Sequence, residues 1–445
     1  MLTERDLKQI TEEVLVYCKS DQTSIVLSTI DSALTRFANN AIHQNVAETD
    51  VGLLVEVVVG RKKGIASINN LTSAGIRKVV DRAMEIAGHQ VENPEFRGLT
   101  RAAAAKRVDA CVDYTAGLDP AGRAAGVAII CKKSIEQGLV AAGAFSNTTS
   151  QLVVANSEGV FQYHCDAIAE FNTVIMTGSS SGFASAIALD ARAIDPEALA
   201  TEAIGKAVRG RNPSDLEPGD YAVVLEEYAA CDVVDFLAYL GFGALAVEEK
   251  RSFMAEKFGQ KVVGANITIW DDGLSPETIP MPFDYEGVPR KRVNLILGGI
   301  ANAVCYDTET AQRVGKESTG HALPPGDTFG PIPCNLFLKP GAATKEEMIR
   351  STKRGIMVTR FHYTRQVHPL SVTVTGMTRD GTFLIENGEI TRPIKNLRFT
   401  QSYLDALNNV EMIGRETKLH REFFPYNRIP ALKIGSWSFV SATQY

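Results

Sequence analysis

The sequence lacks several features that would assign it quickly to a class. Its 445 residues contain no uninterrupted apolar run near the ~20 residues that a membrane-spanning helix needs. The formal net charge is −6, so a general attraction to nucleic-acid phosphates is not expected. The first residues, MLTERDLKQITEEVL, are polar and charged, which is not typical of a secretory signal peptide. We therefore expect a cytoplasmic protein that binds neither membranes nor nucleic acids.

Paired cysteines are also missing. None of the seven cysteines belongs to a CxxC motif, and all of them lie singly along the chain. Scattered cysteines favour reduced, mostly buried thiols over disulfides or a structural zinc site. The positions are Cys18, Cys111, Cys131, Cys165, Cys231, Cys305 and Cys334.

Histidine is scarce as well, and none lies between Asp166 and Gly320. The only close pair is His362 and His368, and their even spacing would place both on one side of an extended segment. A catalytic metal needs three convergent protein ligands, and no third ligand is evident there. Neither a serine nucleophile elbow nor a phosphate-binding loop is present. The segment TGSSSGFASA lacks GxSxG, and GKESTGHALPPG, which contains His321, is no Walker A motif.

The apolar pattern predicts an α+β fold. An N-terminal domain over residues 1–95 has a helix from about Glu4 to Ser20, then three or four antiparallel strands, then an amphipathic helix capped by Thr72 or Ser73. A central α+β domain over residues 96–215 ends with a helix capped by Asp195. No short repeat stands out.

The stretch from Gly210 to Gly219, rich in Gly and Pro, is the clearest boundary in the chain. After it, residues 216–445 predict a β-rich domain with one long buried helix around residues 232–246. A strand runs directly into this helix in the stretch VVLEEYAACDVVDFLAYLGFGAL. In some hydrolases a helix that follows a strand in this way carries the metal ligands. The helix of this chain carries no histidine.

Eight segments, in order, resemble the TldD/PmbA family over nearly the whole chain. No single segment decides the assignment, but their shared order does. They are TRFANNAIHQNVAETDVGLLVEVVVGRKKGIASIN, YAVVLEEYAACDVVDFL with EEKRSF, FDYEGVP, KESTGHA, CNLFLKPG, RGIMVTRF, TGMTRDGTFLIENGEITRPIKNLRF and PALKIGSWSF.

The resemblance implies a metallopeptidase complex of two subunit types. Catalytic TldD-type subunits carry an HExxxH helix and a C-terminal cysteine that together bind zinc. Aligned on YAVVL and EEKRSF, the motif positions fall on Asp235, Phe236 and Leu240, and the last cysteine is Cys334. The resemblance is therefore to the TldE/PmbA type. It implies no cofactor in this chain, zinc in a TldD-type partner, and an unfolded or extended peptide as substrate.

Two alternatives remain open from the sequence. The chain could be an independent hydrolase or a peptide-binding homodimer, with a non-standard site around His321, His362 and His368. The segment 358–382 departs from the family pattern, and its cationic and aromatic residues lead us to expect that it lines the cleft or the partner interface. The candidate residues are His321, Arg360, His362, Arg365, His368, Thr378, Arg379 and Asp380.

Overall fold

The structure, a computed structural model, describes residues 2–421, 423 and 426–442. The ends of the predicted first and third domains, residue 1 and residues 443–445, lie outside the described residues. Its helices are α1 Glu4–Tyr17, α2 Ser73–His89, α3 Asp113–Ala116, α4 Pro120–Glu136, α5 Pro196–Arg209, α6 Glu227–Gly241, α7 Ala244–Glu248, α8 Thr308–Arg313, α9 Lys345–Arg350 and α10 Tyr403–Asn408, with a 3₁₀ turn at Ala191–Ala193.

The strands fall into two sheets. Those of the first sheet are β1 Gln22–Ala38, β2 Ala41–Val59, β3 Lys62–Ile68, β4 Val140–Asn156, β5 Phe161–Met176 and β6 Ser181–Ala188. Those of the second are β7 Gly219–Leu225, β8 Ile269–Asp271, β9 Val293–Leu297, β10 Ile300–Ala301, β11 Leu336–Leu338, β12 Arg354–His368, β13 Thr373–Glu386, β14 Glu389–Pro393, β15 Leu397–Ser402, β16 Val410–His420 and β17 Asn427–Ala442.

The first sheet has the order β3-β2-β1-β4-β5-β6, and every neighbouring pair is antiparallel. It spans the predicted first and central domains, because β1 pairs with β2 on one side and with β4 on the other. The predicted caps are confirmed. The Thr72 side chain accepts the amide of Gly75, and Asp195 accepts the amides of Glu197 and Ala198. Helix α1 is shorter than expected and ends at Tyr17.

A repeat exists in this sheet at the level of elements. The order α1-β1-β2-β3-α2 recurs as α4-β4-β5-β6-α5, and the two units meet at the β1–β4 pair. In both units a glycine allows close contact between the third strand and the last helix. A Cβ on Gly64 would lie 2.0 Å from the Ala83 carbonyl oxygen, and one on Gly182 would lie 2.1 Å from that of Ala203. The helices of the two units pack on two separate apolar clusters, and each cluster also includes residues from the adjoining strand of the other unit, such as Phe37 and Val153.

The second sheet builds the C-terminal domain and is partly closed. Strands β17, β15, β13, β12 and β7 are neighbours in that order, and β7 also pairs with β17, so these five strands form a ring. Helix α6 packs against β12 and β17. Its residues belong to the largest apolar cluster among the described residues, together with Phe361, Phe399 and Trp437. Fold class is confirmed as α+β with a β-rich C-terminal domain and one buried helix.

The long helix itself starts and ends earlier than the sequence indicated. Helix α6 begins at Glu227 rather than near residue 232, because Glu226 is extended and serves as its N-cap. It ends at Gly241, and the short α7 follows after Gly243. Among the described residues, no helix is both long enough and apolar enough to cross a membrane.

Candidate functional site

Helix α6 carries the positions that correspond to the zinc motif, and nearly all of it is buried. Phe236 and Leu240 are 5% and 6% exposed, and Leu237 is fully buried. Around these side chains the helix is enclosed by β12, β16 and β17. The apolar interpretation of this stretch is therefore confirmed at the level of burial.

Two aspartates on the same helix are also buried, and both accept hydrogen bonds from other parts of the C-terminal domain. Asp232 accepts hydrogen bonds from the Tyr403 hydroxyl (2.6 Å) and the Thr364 hydroxyl (2.8 Å). Burial, and then the charge of Asp232, raise the pKa of Tyr403 well above its ordinary value. Tyr403 therefore stays protonated and remains a donor to Asp232.

Asp235 is the only carboxylate among the three motif positions, and it is 2% exposed. It accepts hydrogen bonds from the Asn427 side-chain amide and from the backbone amide of Phe423 (3.3 Å). The Cys231 thiol lies one turn earlier and also points to it, at 3.9 Å. Sequence reasoning did not identify these aspartate contacts, although the spacing of Asp232 and Asp235 on an apolar helix was a visible signal.

The residues do not fit the zinc ion that the family resemblance implies for a catalytic subunit. Zinc needs three nitrogen, sulfur or oxygen ligands with an open position. Phe236 and Leu240 supply none, and the Asp235 carboxylate is already hydrogen bonded. Within residues 2–421, 423 and 426–442, no group of three His, Cys, Asp or Glu side chains could hold a metal. No step of a reaction is assigned to zinc on this helix.

Aromatic rings cover the face of α6 that approaches solvent. Phe236 meets Phe423 edge to face, with ring centroids 5.4 Å apart. Tyr239 is 37% exposed and stacks on Phe329 at 5.1 Å. A rigid aromatic surface of this kind can hold apolar side chains of a ligand without any charge.

The segment 358–382 forms most of the β12–β13 hairpin. At its base, Arg360 donates through Nε to Asp380 Oδ2 (2.6 Å), and Ser181 of β6 donates to the other carboxylate oxygen (2.6 Å). The Arg360 guanidinium also lies over the Phe183 ring, 4.3 Å from its centroid. This ion pair therefore joins the C-terminal domain to the first sheet.

The other candidates at this base differ in exposure. Thr378 is fully buried and accepts the Leu397 amide (3.0 Å), whereas Arg379 is 46% exposed. A cavity of about 380 Å³ lies beside them, lined by the 177–181 loop, Arg379–Thr382 and Pro393–Asn396. Arg360 is thus committed to the fold, while Arg379 reaches the cavity.

The tip of the hairpin carries the remaining candidates and is exposed. Arg365 stacks over the Tyr363 ring at 4.6 Å, and His368 forms a hydrogen bond with the Ser371 hydroxyl (3.0 Å). His362 is half-buried on the same strand. Tyr363, at 65% exposure, leaves an apolar ring in solvent.

His321 lies elsewhere. It is 1% exposed, and its ring contacts Asp271 Oδ1 of β8 (2.8 Å) and the Thr319 hydroxyl (2.9 Å). Burial alone would raise the pKa of the Asp271 carboxyl, but the adjacent His321 ring outweighs burial and lowers this pKa. Strands β11, β17, β15 and β13 separate β8 from β12, so His321 does not meet His362 and His368. The structure therefore does not unite the three histidines in one site.

Comparison with known proteins places both halves of the chain in one family. Residues 218–439 match the PmbA/TldA metallopeptidase C-terminal domain, and residues 23–87 match the PmbA/TldA metallopeptidase domain 1. Together these matches span well over half of the chain.

Individual relatives agree with this. The metalloprotease PmbA of Escherichia coli O157:H7 is 24% identical over 422 residues, which cover 89% of this chain and 88% of that protein. A metalloprotease of Methanocaldococcus jannaschii is 28% identical over 228 residues, but the matched stretch spans only 49% of its length. The chain thus spans about half the length of some of the curated relatives it matches.

Solved structures share the fold. TldE from Thermococcus kodakarensis superposes with a TM-score of 0.88 at 16% identity, covering 98% of this chain and 99% of that one. A Thermotoga maritima protein described as a modulator of a DNA gyrase superposes with a TM-score of 0.87 at 17% identity, covering 98% and 100%. At these identities the likeness concerns the fold alone.

Proposed function

Because the chain belongs to the PmbA/TldD metallopeptidase family, we propose that it is a zinc-free subunit that shapes the substrate cleft for a zinc-binding TldD-type partner. The observation that carries the proposal is helix α6. Its three motif positions hold one hydrogen-bonded aspartate and two buried apolar side chains, which serve the core of this domain. The complex acts on unfolded or extended peptides, and it works in the cytoplasm, where the seven free cysteines would stay reduced.

An open strand edge supports a role in holding the peptide. Strand β3 pairs with β2 only from Leu53 onward, so residues 41–52 of β2 have no partner on that side among the described strands. Most of this stretch is exposed. An extended peptide can add to such an edge through main-chain hydrogen bonds, which suits substrates of varied sequence.

The proposal predicts that activity belongs to the pair. The chain is purified alone, a TldD-type protein with intact HExxxH from the same source is purified alone, and the two are co-expressed. We expect cleavage of an unfolded peptide only by the pair, with about one zinc per pair contributed by the partner. A partner variant with glutamine in place of the motif glutamate is the matched control and should be inactive.

Two outcomes would overturn this proposal. One is an equivalent of zinc on this chain alone that survives dialysis against a weak chelator. The other is peptide cleavage by this chain alone, which would favour an independent hydrolase. Peptide binding by a homodimer of this chain, without any effect of the TldD-type protein, would instead support the binding-only alternative.

The strand edge gives a second prediction. Successive amides of a strand point to opposite edges, so Ala47→Pro and Glu48→Pro remove different hydrogen bonds. One variant loses a bond to β1 and should be less stable. The other variant loses only a backbone N–H that points to the open edge of β2. It should keep the wild-type melting temperature and raise the KM of the pair several-fold. If both variants leave KM unchanged, the peptide does not pair with this edge.

A further inference from the structure

Two cysteines that are far apart in sequence meet at the edge of β5. Three of the seven cysteines are half-exposed, namely Cys111, Cys165 and Cys334. Ala110 forms an isolated parallel bridge with Asp166, in which the Ala167 amide donates to the Ala110 carbonyl oxygen at 2.9 Å. The bridge brings the residue after Ala110 and the residue before Asp166, which are Cys111 and Cys165, into one neighbourhood.

Their thiols are close enough to affect each other. Burial, and then the neighbouring Cys111 thiol, raise the pKa of Cys165. Cys334, the third half-exposed cysteine, is engaged elsewhere: it accepts a hydrogen bond from buried Arg290 (3.4 Å). Cys111 and Cys165 are therefore neighbours, whereas the contacts of the Cys334 side chain are with Arg290 and the Ile332 carbonyl oxygen.

The pair lies where the connector between α2 and α3 covers a strand edge. Strand β6 pairs with β5 only from Ala169 onward, so the preceding part of β5 has an edge equivalent to the open edge of β2. The connector covers it without helix or strand of its own. It is tied down by single bonds such as Gln162 Nε2 to the Ala103 oxygen (2.5 Å) and Asn156 Nδ2 to the Thr100 oxygen (2.8 Å).

We propose that Cys111 and Cys165 are a modification site that forms a disulfide on exposure to a hydroperoxide and locks the connector onto β5. The sulfurs must close to about 2 Å, and the connector can make this movement because it lacks regular structure. In the reduced state the connector is held only by non-covalent contacts, such as these hydrogen bonds and the ion pair between Arg107 and Glu4. In the oxidised state a covalent bond holds the connector over the edge of β5 until it is reduced, while that of β2 stays open.

The chemistry needs no group beyond the two thiols and the hydroperoxide. Burial keeps Cys165 protonated, so Cys111 attacks first: its sulfur takes the terminal peroxide oxygen, the O–O bond breaks, and an alcohol or water leaves. Cys165 then attacks the sulfenic sulfur of Cys111, the S–S bond forms, and water leaves. Two thiols are oxidised, and one hydroperoxide is reduced.

The test treats the full chain with hydrogen peroxide, blocks remaining thiols and maps peptides without reduction. We expect a Cys111–Cys165 linked peptide, a protein lighter by two hydrogen atoms, and a thiol count that falls from seven to five. Cys334→Ser, the matched control, should still form the link, with its count falling by two. Cys111→Ser and Cys165→Ser should lose it while they keep the wild-type circular dichroism spectrum and melting temperature.

The proposal fails if the wild-type chain keeps all seven thiols, or if Cys111 is oxidised to sulfinic acid without any link to Cys165. It also fails if the linked peptide joins two copies of the chain, which a mixture of ordinary and isotope-labelled protein would reveal. Should the serine variants not fold, alkylation provides the second measurement. Mild oxidation must then protect Cys111 and Cys165 together from the reagent and leave Cys334 reactive.

Discussion

Replacing Leu237 with aspartate is expected to abolish the native C-terminal domain. Leu237 is fully buried in the middle of α6, inside the largest apolar cluster of the described residues. Loss of a buried leucine side chain costs about 2–5 kcal/mol, and a carboxylate without a partner adds several more. Because a whole domain is stable by only about 5–15 kcal/mol, most of its stability would be lost.

The measurement is urea unfolding followed by circular dichroism, with Leu370→Asp as the matched control. Leu370 is 46% exposed at the tip of the β12–β13 hairpin, so the same substitution should change stability by no more than about 0.5 kcal/mol. A Leu237→Asp protein with wild-type stability would mean that α6 faces a water-filled cleft. The proposed core role of this helix would then be wrong.

Lys206→Met is expected to have the next largest effect, since Lys206 lies in a buried ion network between the two parts of the chain. Its ammonium is 2.7 Å from Glu226 at the start of α6 and 2.8 Å from Glu202 on its own helix. Lys418 of β16 contacts Glu202 at 3.1 Å and the Tyr228 hydroxyl. Removing the central cation leaves Glu202 with Lys418 alone and Glu226 with only the more distant Lys345 (3.8 Å), which costs up to about 3–5 kcal/mol.

The same network sets the pH dependence. Burial alone would raise the pKa of Glu202, but Lys206 and Lys418 outweigh it and lower the pKa from 4.5 to about 2. The stabilisation of the folded state by ionised Glu202 is therefore complete above pH 4.5 and is lost as pH falls toward 2. We expect the gap in unfolding free energy between wild type and Lys206→Met to be largest near pH 7 and to narrow below pH 4.5.

Lys133→Met is the control for this prediction. Lys133 forms an ion pair with Glu197 at 3.1 Å, but both side chains reach solvent. An exposed pair contributes about 0–1 kcal/mol, so this variant should unfold close to the wild-type midpoint at all pH values. Equal losses in the two lysine variants would show that the network around Lys206 contributes no more than a surface pair.

The sequence by itself determined the local helices and strands, and it excluded zinc binding by an HExxxH motif on α6. Alternating apolar residues predicted β1, β2 and β3, and Thr72 and Asp195 marked helix starts, because caps and strand alternation depend on neighbours along the chain. The lack of histidine between Asp166 and Gly320 already excluded an HExxxH helix at this place.

Only the tertiary structure decided which polar side chains act together. Asp380 pairs with Arg360 across the hairpin and with Ser181 of another sheet, and Cys111 meets Cys165 across a β-bridge. Such contacts join residues that are 20 to 199 positions apart. No local periodicity encodes them, since they depend on strand register and on which sheet edges the chain covers. For the same reason His321, which the sequence allowed to cluster with His362 and His368 of β12, lies beside β8 instead.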